Sequence, residues 1–175
     1  MHEEDVVNIL RHYRHDLMNH LQIVQGYLSM DKPEKAKSKM EKLMKLLEEE
    51  HKLVNLNLPK FALCLLQFNT NYQNFRLEYQ IHTNRQDLRL LDNILVEQCQ
   101  QVMAKAVDAA DEMELYTVNL QLSELNKQGQ SGVEVNFSFQ GNFKKEIQIK
   151  GTETMDLTMS RTDEGVVCTF QIPCD

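Results

Sequence analysis

Glycine is scarce in this chain, and the motifs that depend on it are missing. Only six of the 175 residues are glycine, and they form neither a GxGxxG turn nor a phosphate-binding loop. CxxC spacing is also missing, so the four cysteines predict reduced thiols in a cytoplasmic protein. No apolar run reaches the roughly 18–20 residues that span a membrane, and the N-terminus lacks a signal-peptide core. We therefore expect a soluble protein with no membrane partner.

Charge excludes a second class of partner. The formal net charge is -7 and the pI about 5.4, which disfavours nucleic acid as the main partner. The charge is uneven, because Arg11 and Arg14 lie close together near the N-terminus while Glu48, Glu49 and Glu50 follow later. A basic rim near the N-terminus suits a partner with an acidic pocket. Hydrophobic residues make up 42% of the chain, which is typical of a globular protein.

The N-terminal residues predict one long helix with two different faces, from about Glu3 to Ser29. Its polar stripe is centred on His15, at about 100° per residue. The other members of that stripe are Asn8, Arg11, His12, Asn19 and Gln22. Its apolar seam has alternating three- and four-residue steps and is interrupted by Arg14. The seam residues are Val7, Leu10, Leu17, Leu21, Val24 and Leu28.

A second helix is predicted from Pro33 to about Leu56, after a tight connection. Asp31 is a candidate N-cap, with Glu34 as its capping-box partner. Apolar residues of this helix fall on one face, and they are Ala36, Met40, Leu43, Leu47 and Val54. Two such helices pack antiparallel, and one hairpin cannot bury both apolar faces. We therefore predict a homodimer in which residues 1–57 of two chains form a four-helix bundle.

Residues 58–175 predict an α/β sandwich. Helical spacing over about 60–75 predicts one helix, with a core stripe of Phe61, Leu65, Phe68 and Tyr72. Helical spacing over about 87–110 predicts another, with apolar positions that include Leu91, Leu95, Val102, Met103 and Val107. Strand alternation covers 76–83, 115–122, 133–139, 155–161 and 166–172, and residues 141–150 stay ambiguous. The last two strands form a hairpin through Thr162–Gly165. The expected fold class is α+β, with two helices over a mixed, mainly antiparallel sheet.

The residues around His15 resemble the phosphoacceptor box of sensor histidine kinases. His15-Asp16 is followed by Asn19-His20-Leu21-Gln22 and preceded by Arg14. That version is similar to the subtype shared by the sporulation phosphotransferases. The resemblance implies that His15 is a nucleophile displayed to another protein. A solvated histidine is the ordinary alternative, and the His12–His15 pair lacks the further ligands of a zinc site.

The second half resembles the ATP-binding domain of the same kinases, without its nucleotide motifs. Where that family has an asparagine box, Gln101 to Ala106 has glutamine and lysine, with Lys105 at an asparagine position. The glycine-rich lid sequences are missing as well, and Asp163-Glu164-Gly165 reads as a hairpin turn. We therefore expect a degenerate ATPase-like domain without a nucleotide site.

Together the resemblances imply a phosphorelay phosphotransferase. A single-domain response regulator phosphorylated on aspartate is the expected donor, and a response-regulator transcription factor that controls sporulation is the expected acceptor. No cofactor of its own is expected, because the receiver domain supplies Mg²⁺. Arg11 would steer the receiver, Asp16 would orient the imidazole, and Asn19 and Gln22 would dock the partner. His12 is at most a peripheral contact.

Three alternatives stay open at this point. Arg14 belongs either to the bundle seam or to the active site. The chain could instead be a degenerate sensor kinase that retains nucleotide binding. It could also be an adaptor that binds response regulators without transferring phosphate.

Overall fold

A computed structural model describes residues 3–85, 88–127, 130–145, 147, 156–162 and 165–173. The chain divides into two compact units, Met1–His51 and Lys52–Asp175. No helix in those described ranges is long and apolar enough to cross a membrane. In chain order the elements are α1 (Glu3–Ser29), α2 (Pro33–Val54), α3 (Pro59–Leu66), α4 (Phe68–Asn71), β1 (Phe75–His82), a 3-10 turn (Leu88–Leu91), α5 (Asp92–Ala109), β2 (Tyr116–Lys127), β3 (Gln130–Gln140), β4 (Asp156–Thr162) and β5 (Gly165–Pro173).

The first unit is a helical hairpin, and its turn differs from the predicted one. Helix α1 has the predicted bounds, whereas α2 ends at Val54, two residues earlier than expected. Asp31 has a φ of 53° and its N–H donates to Leu28 O, while the Lys32 N–H donates to Tyr27 O. This is the hydrogen-bond pattern that ends a helix with a left-handed residue. Asp31 therefore terminates α1, and Lys32, whose carbonyl accepts the Ala36 N–H, precedes α2.

The second unit is built on a five-stranded sheet with the order β1-β2-β3-β5-β4. Strands β1 and β2 are parallel, and the other three pairings are antiparallel. The predicted mixed, mainly antiparallel sheet is therefore confirmed. The β4–β5 hairpin is confirmed too, although Asp163 and Glu164 of its predicted turn lie outside the described residues.

The core of the second unit lies between one face of this sheet and helices α3 and α5. Alternate side chains of β3 point into it, and Val133, Val135 and Phe137 are fully buried. Phe137 stacks on Phe139 and Phe170 with ring centroids 5.8 and 6.2 Å apart. The period of two residues is the alternation from which the strands were predicted. The N-terminal hairpin followed by an α/β domain confirms the predicted fold class.

The predicted helix over residues 60–75 is interrupted at Gln67 and ends at Asn71, so the prediction was wrong for its last residues. The chain forms the short helices α3 and α4 around Gln67, and strand β1 already begins at Phe75. Phe75 pairs with Tyr116 in the parallel ladder, and the two rings stack 5.1 Å apart. Sheet pairing therefore overrides the helical spacing there. The predicted core stripe is confirmed, because Phe61, Leu65 and Phe68 are buried and Tyr72 packs against them.

Other boundaries also moved. Helix α5 begins at Asp92 after the 3-10 turn, whereas residue 87 lies outside the described ranges. Val107, predicted as an apolar position of that helix, is 45% exposed. Strands β2 and β3 are longer than predicted because they pair with each other from Thr117–Gln140 to Lys127–Gln130. Of the ambiguous segment, residues 141–145 form neither helix nor strand.

Candidate functional site

His15 lies in the middle of α1, and its side chain is 70% exposed. Its Nδ1 lies 3.3 Å from Asp16 Oδ1 and 3.2 Å from Asn19 Nδ2. Asn19 is one helical turn away, where side chains are neighbours. The Asp16 contact is less expected, since adjacent helical residues do not face each other. Within the described residues, the other ring nitrogen, Nε2, makes no hydrogen bond, so it is available to an incoming partner.

Arg11 and His12, one turn before His15, form hydrogen bonds with Asn8 instead. Arg11 Nη1 donates to Asn8 Oδ1 at 3.0 Å. His12 Nδ1 lies 2.8 Å from the Asn8 carbonyl oxygen, which can only accept, so His12 carries its proton on Nδ1. Within the described residues, neither side chain forms a hydrogen bond with His15. Both are exposed, as are Arg14 and Gln22 further along the helix. Of the predicted supporting residues, the structure therefore brings only Asp16 and Asn19 to the imidazole.

Most of the predicted apolar seam of α1 is exposed in a single chain. The exposed fractions of Val7, Leu10, Leu21 and Leu28 are 52%, 61%, 39% and 58%. Val24 is the one buried residue of α1, at 8%. On α2, Ala36 and Leu43 are buried, whereas Met40 and Val54 of the predicted face are 37% and 51% exposed. Apart from Val24 and the half-buried Leu17, the predicted seam is therefore not the surface with which α1 packs inside its own hairpin.

A second series of residues faces α2, and sequence reasoning missed it. Tyr13 donates a hydrogen bond from its hydroxyl to Glu50 Oε1 at 2.9 Å. Desolvation, and then the hydrogen bond and charge of Glu50, raise the pKa of Tyr13. The steps from Tyr13 to His20, Val24 and Tyr27 are seven, four and three residues, which is also a heptad-like spacing. That spacing was the signal in the sequence that identifies this face.

His20 belongs to the same inward face. Its Nδ1 is buried and has no hydrogen-bond partner among the described residues. Desolvation, and then the charge of Lys39, lower the pKa of His20, while Asp16 acts in the opposite direction. His20, with a buried Nδ1 and a lowered pKa, therefore differs from His15, whose ring is open to solvent.

Helix α5 of the second unit contains the positions that correspond to the asparagine box. Gln101 and Lys105, at the positions compared with the asparagine box, are both exposed on α5. The buried acid of that helix has another role: Asp92 accepts hydrogen bonds from the backbone N–H groups of Lys60 at 3.1 Å and Phe61 at 2.9 Å. It therefore caps α3 across the packed pair of helices. No group of three or more His, Cys, Asp or Glu side chains in the described part of the chain is arranged to hold a metal ion.

Two family models match consecutive parts of this chain. The family model described as sensor kinase SpoOB-type, alpha-helical domain matches residues 1–56, which include α1 and α2. The model described as sporulation initiation phospho-transferase B, C-terminal, matches residues 57–164. This chain belongs to the sporulation initiation phosphotransferase B family.

A curated relative agrees with that membership. The sporulation initiation phosphotransferase B of Bacillus subtilis strain 168 is 32% identical over 127 residues. The aligned region covers 71% of this chain and 66% of that relative's length.

Histidine kinases are among the solved structures that match this chain. A blue-light-activated histidine kinase of Erythrobacter litoralis is 14% identical with a TM-score of 0.48, covering 91% of this chain and 59% of that one. The histidine kinase ThkA, solved in complex with the response regulator protein TrrA, is 11% identical with a TM-score of 0.42, covering 95% and 61%. Because both TM-scores lie below 0.5, family membership rests on the sequence matches.

Proposed function

We propose that this protein is a phosphorelay phosphotransferase of sporulation and that His15 carries the phosphoryl group. The observation that carries the proposal is the geometry of one side chain. The His15 ring is 70% exposed, its Nδ1 contacts Asp16 and Asn19, and Nε2 makes no hydrogen bond within the described residues. An imidazole held by one nitrogen and open at the other is suited to nucleophilic attack.

The proposed transfer needs few groups from this chain. The His15 Nε2 lone pair attacks the phosphorus of a receiver's aspartyl phosphate, the N–P bond forms, and the P–O bond to the aspartate breaks. The bonding electrons leave with the receiver's carboxylate. The second transfer reverses these steps onto the aspartate of another receiver. Because phosphoryl transfer is mainly positioning and charge neutralisation, the receiver's own Mg²⁺ and acidic site supply what this chain lacks.

Asp16 supports the first step by favouring the reactive tautomer. When Nδ1 bears the ring proton, it donates a hydrogen bond to the Asp16 carboxylate at 3.3 Å, and the Nε2 lone pair is free to attack. The proposed donor is a single-domain response regulator, and the proposed acceptor is a response-regulator transcription factor. Arg11, which is hydrogen-bonded to Asn8 one turn earlier, would contribute positive charge to receiver docking, and His12 would contribute contact area.

We also propose that residues 1–57 form a homodimeric four-helix bundle and that residues 58–175 form a domain without a nucleotide site. Exposed apolar residues of α1 support the first statement, because a seam from Val7 to Leu28 is costly to leave in water. Arg14 interrupts that seam and is exposed. In a dimer it would lie at the edge of the interface, so we assign it to bundle pairing. Each bundle would then present two His15 sites.

Label transfer tests the function directly. The purified protein is mixed with a receiver domain whose aspartyl phosphate carries ³²P, and in parallel with γ-labelled ATP. We expect label from the receiver only, and that label should be acid-labile and alkali-stable, as a phosphorus–nitrogen bond requires. Label from ATP would instead favour a residual kinase. Binding of the receiver without any label on this chain would favour an adaptor.

A further inference from the structure

Two polar contacts hold the His15 ring, and the same nitrogen makes both. Asp16 Oδ1 lies 3.3 Å from Nδ1 and Asn19 Nδ2 lies 3.2 Å from it. The two neighbours require opposite protonation of Nδ1. An ionised carboxylate only accepts a hydrogen bond, whereas an amide NH₂ group donates to a lone pair. In either tautomer of His15, one of these two contacts is a hydrogen bond and the other is not.

The carboxamide of Asn19 can satisfy both tautomers, because its two ends have opposite hydrogen-bonding roles. A half-turn of the amide exchanges Oδ1 and Nδ2 with almost no change in shape. With Oδ1 towards the ring, Asn19 accepts the Nδ1–H beside Asp16. With Nδ2 towards the ring, it donates to the Nδ1 lone pair. Asp16 has no such second orientation while it is ionised.

We propose that Asn19 is the positioning residue of the transfer site, which keeps the His15 ring in one orientation through both protonation states of Nδ1. This rests on the proposed role of His15 as the phosphoryl carrier. It gives Asn19 a role within this chain, in place of the partner-docking role that the sequence predicted. Because both side chains are exposed on α1, the role does not depend on packing of the core.

Each step of the transfer uses one orientation of the amide. During attack, Nδ1 bears the proton and donates a hydrogen bond to Asn19 Oδ1, while the Nε2–P bond forms and the P–O bond to the receiver's aspartate breaks. The ring is then positively charged until the Nδ1 proton leaves to water. The neutral phosphohistidine has a lone pair on Nδ1, to which Asn19 Nδ2 donates. On delivery to the second receiver, the proton returns to Nδ1, the Nε2–P bond breaks and a P–O bond to the second aspartate forms. The Asn19 amide then turns its Oδ1 towards the ring again.

Ring-nitrogen NMR of the full chain gives a readout that partner docking does not change. With ¹⁵N-labelled histidine, the shifts of Nδ1 and Nε2 report the tautomer of His15. We expect Asn19→Ala to move the His15 tautomer ratio towards the Nδ1–H form, because the Asp16 carboxylate, the remaining contact of Nδ1, can only accept a hydrogen bond. Asn19→Asp, which keeps an acceptor and loses the donor, should shift it towards the Nδ1–H form. His12, whose Nδ1 donates to the Asn8 carbonyl, is the internal control and should not change.

The same variants are then tested for transfer, from a receiver domain charged with acetyl phosphate. Asn19→Ala should slow uptake and delivery by about tenfold, the factor expected for one lost neutral hydrogen bond. Ser38→Ala, on the exposed surface of α2, is the matched control and should transfer at the wild-type rate.

The combined results decide between positioning and docking. A shifted tautomer ratio together with slower transfer supports the proposal. Slower transfer with an unchanged ratio overturns it in favour of docking, and a shifted ratio with unchanged transfer overturns the functional role. If the wild-type chain takes up no phosphoryl group, the proposed function itself fails, and the NMR result still reports whether Asn19 holds the ring.

Discussion

The two units of this protein treat their apolar side chains in opposite ways. In the second unit, large side chains such as Phe61, Phe137 and Phe170 are fully buried within one chain. In the hairpin, Val24 is the one buried residue of the 27-residue helix α1, and Leu10 and Leu28 are more than half exposed. Apolar surface of that extent usually marks an interface. The second unit therefore has a complete core of its own, whereas we expect the hairpin to complete its core with a second copy.

The candidate nucleophile also lies in a different unit from the complete core. His15 lies on the unit that we expect to be incomplete alone, and its ring is 70% exposed. The second unit contains helix α5, where Gln101 and Lys105 are exposed and Asp92 caps α3. Asp92 of the second unit thus stabilises its own fold, while Asp16 and Asn19 of the hairpin contact the candidate nucleophile.

The largest effect is expected from Leu21→Glu, which should abolish the dimer. In the proposed bundle two carboxylates would be buried without partners, each at a cost of several kcal/mol. Analytical ultracentrifugation at micromolar concentration should show a monomer. The same substitution at Leu90, which is 89% exposed in the second unit, is the matched control and should leave the dimer intact. A wild-type chain that sediments as a monomer would contradict the comparison itself.

A smaller effect, confined to the second unit, is expected at Asp92. Asp92→Ala leaves the Lys60 and Phe61 N–H groups without their acceptor, which should lower the free energy of unfolding by about 1–3 kcal/mol. Asp92→Asn keeps one acceptor and should lose less. Chemical denaturation followed by circular dichroism measures both. Asn93→Ala, whose exposed side chain accepts only from Lys60 Nζ, is the control, and an equal loss there would refute the capping role.

Between about pH 7.5 and pH 5.5, a larger pH effect is expected in the hairpin than in the second unit. Desolvation, and then Lys39, lower the pKa of His20 in the folded state. Below the unfolded pKa of about 6.5, the unfolded chain therefore binds more protons than the folded one. Hairpin stability should be at its full value above that pH and fall as the pH falls through the window beneath it.

Hydrogen exchange measures this difference between the units. Protection factors of α1 amides should decrease from about pH 7.5 to about pH 5.5 in the wild-type chain. They should change less in His20→Gln, because only the wild-type chain gains a buried charge. Amides of β3 serve as the control. Equal pH dependence in the wild type and His20→Gln would show that His20 does not cause the pH dependence of the hairpin.

The smallest effect is expected at the hairpin turn. Asp31 has a φ of 53°, a left-handed conformation that glycine adopts without a steric penalty. Asp31→Gly should therefore raise the free energy of unfolding of the hairpin by up to about 1 kcal/mol. Thermal melts of residues 1–57 within the full chain, followed by NMR, are the measurement. Ser29→Gly, inside α1, should have the opposite sign; a stabilising effect at both positions would refute the explanation.

Local patterns predicted the elements well where one pattern had one structural solution. Helix α1 and the β4–β5 hairpin follow from spacing alone. The face of α1 towards α2 did not, because two heptad-like series share the helix and only tertiary packing selects between them. The turn at Asp31 was missed since aspartate replaces the usual glycine. The helical conformation ends at Asn71, before the predicted end, because Phe75 joins the sheet.

The candidate site was predictable in its residues and not in its contacts. The sequence gathers Arg11, His15 and Asn19 on one stripe, and their exposure agrees with that placement. Which of them touch the imidazole depends on side-chain rotamers: Arg11 turns to Asn8, while Asn19 turns to His15. Rotamers are set by local atoms and not by helical spacing, so they lie beyond what a sequence pattern can specify.

Relay of label through His15→Gln tests the central claim most directly. The variant keeps size and polarity but lacks the nucleophilic nitrogen, so the fold and oligomeric state should persist. A ³²P-labelled receiver is mixed with the protein and chased with a second, unphosphorylated receiver, and the label on each is followed with time. We predict transfer to the second receiver with the wild-type chain and with His12→Gln, and none with His15→Gln. If His15→Gln still relays label between the two receivers, His15 is not the phosphoryl carrier.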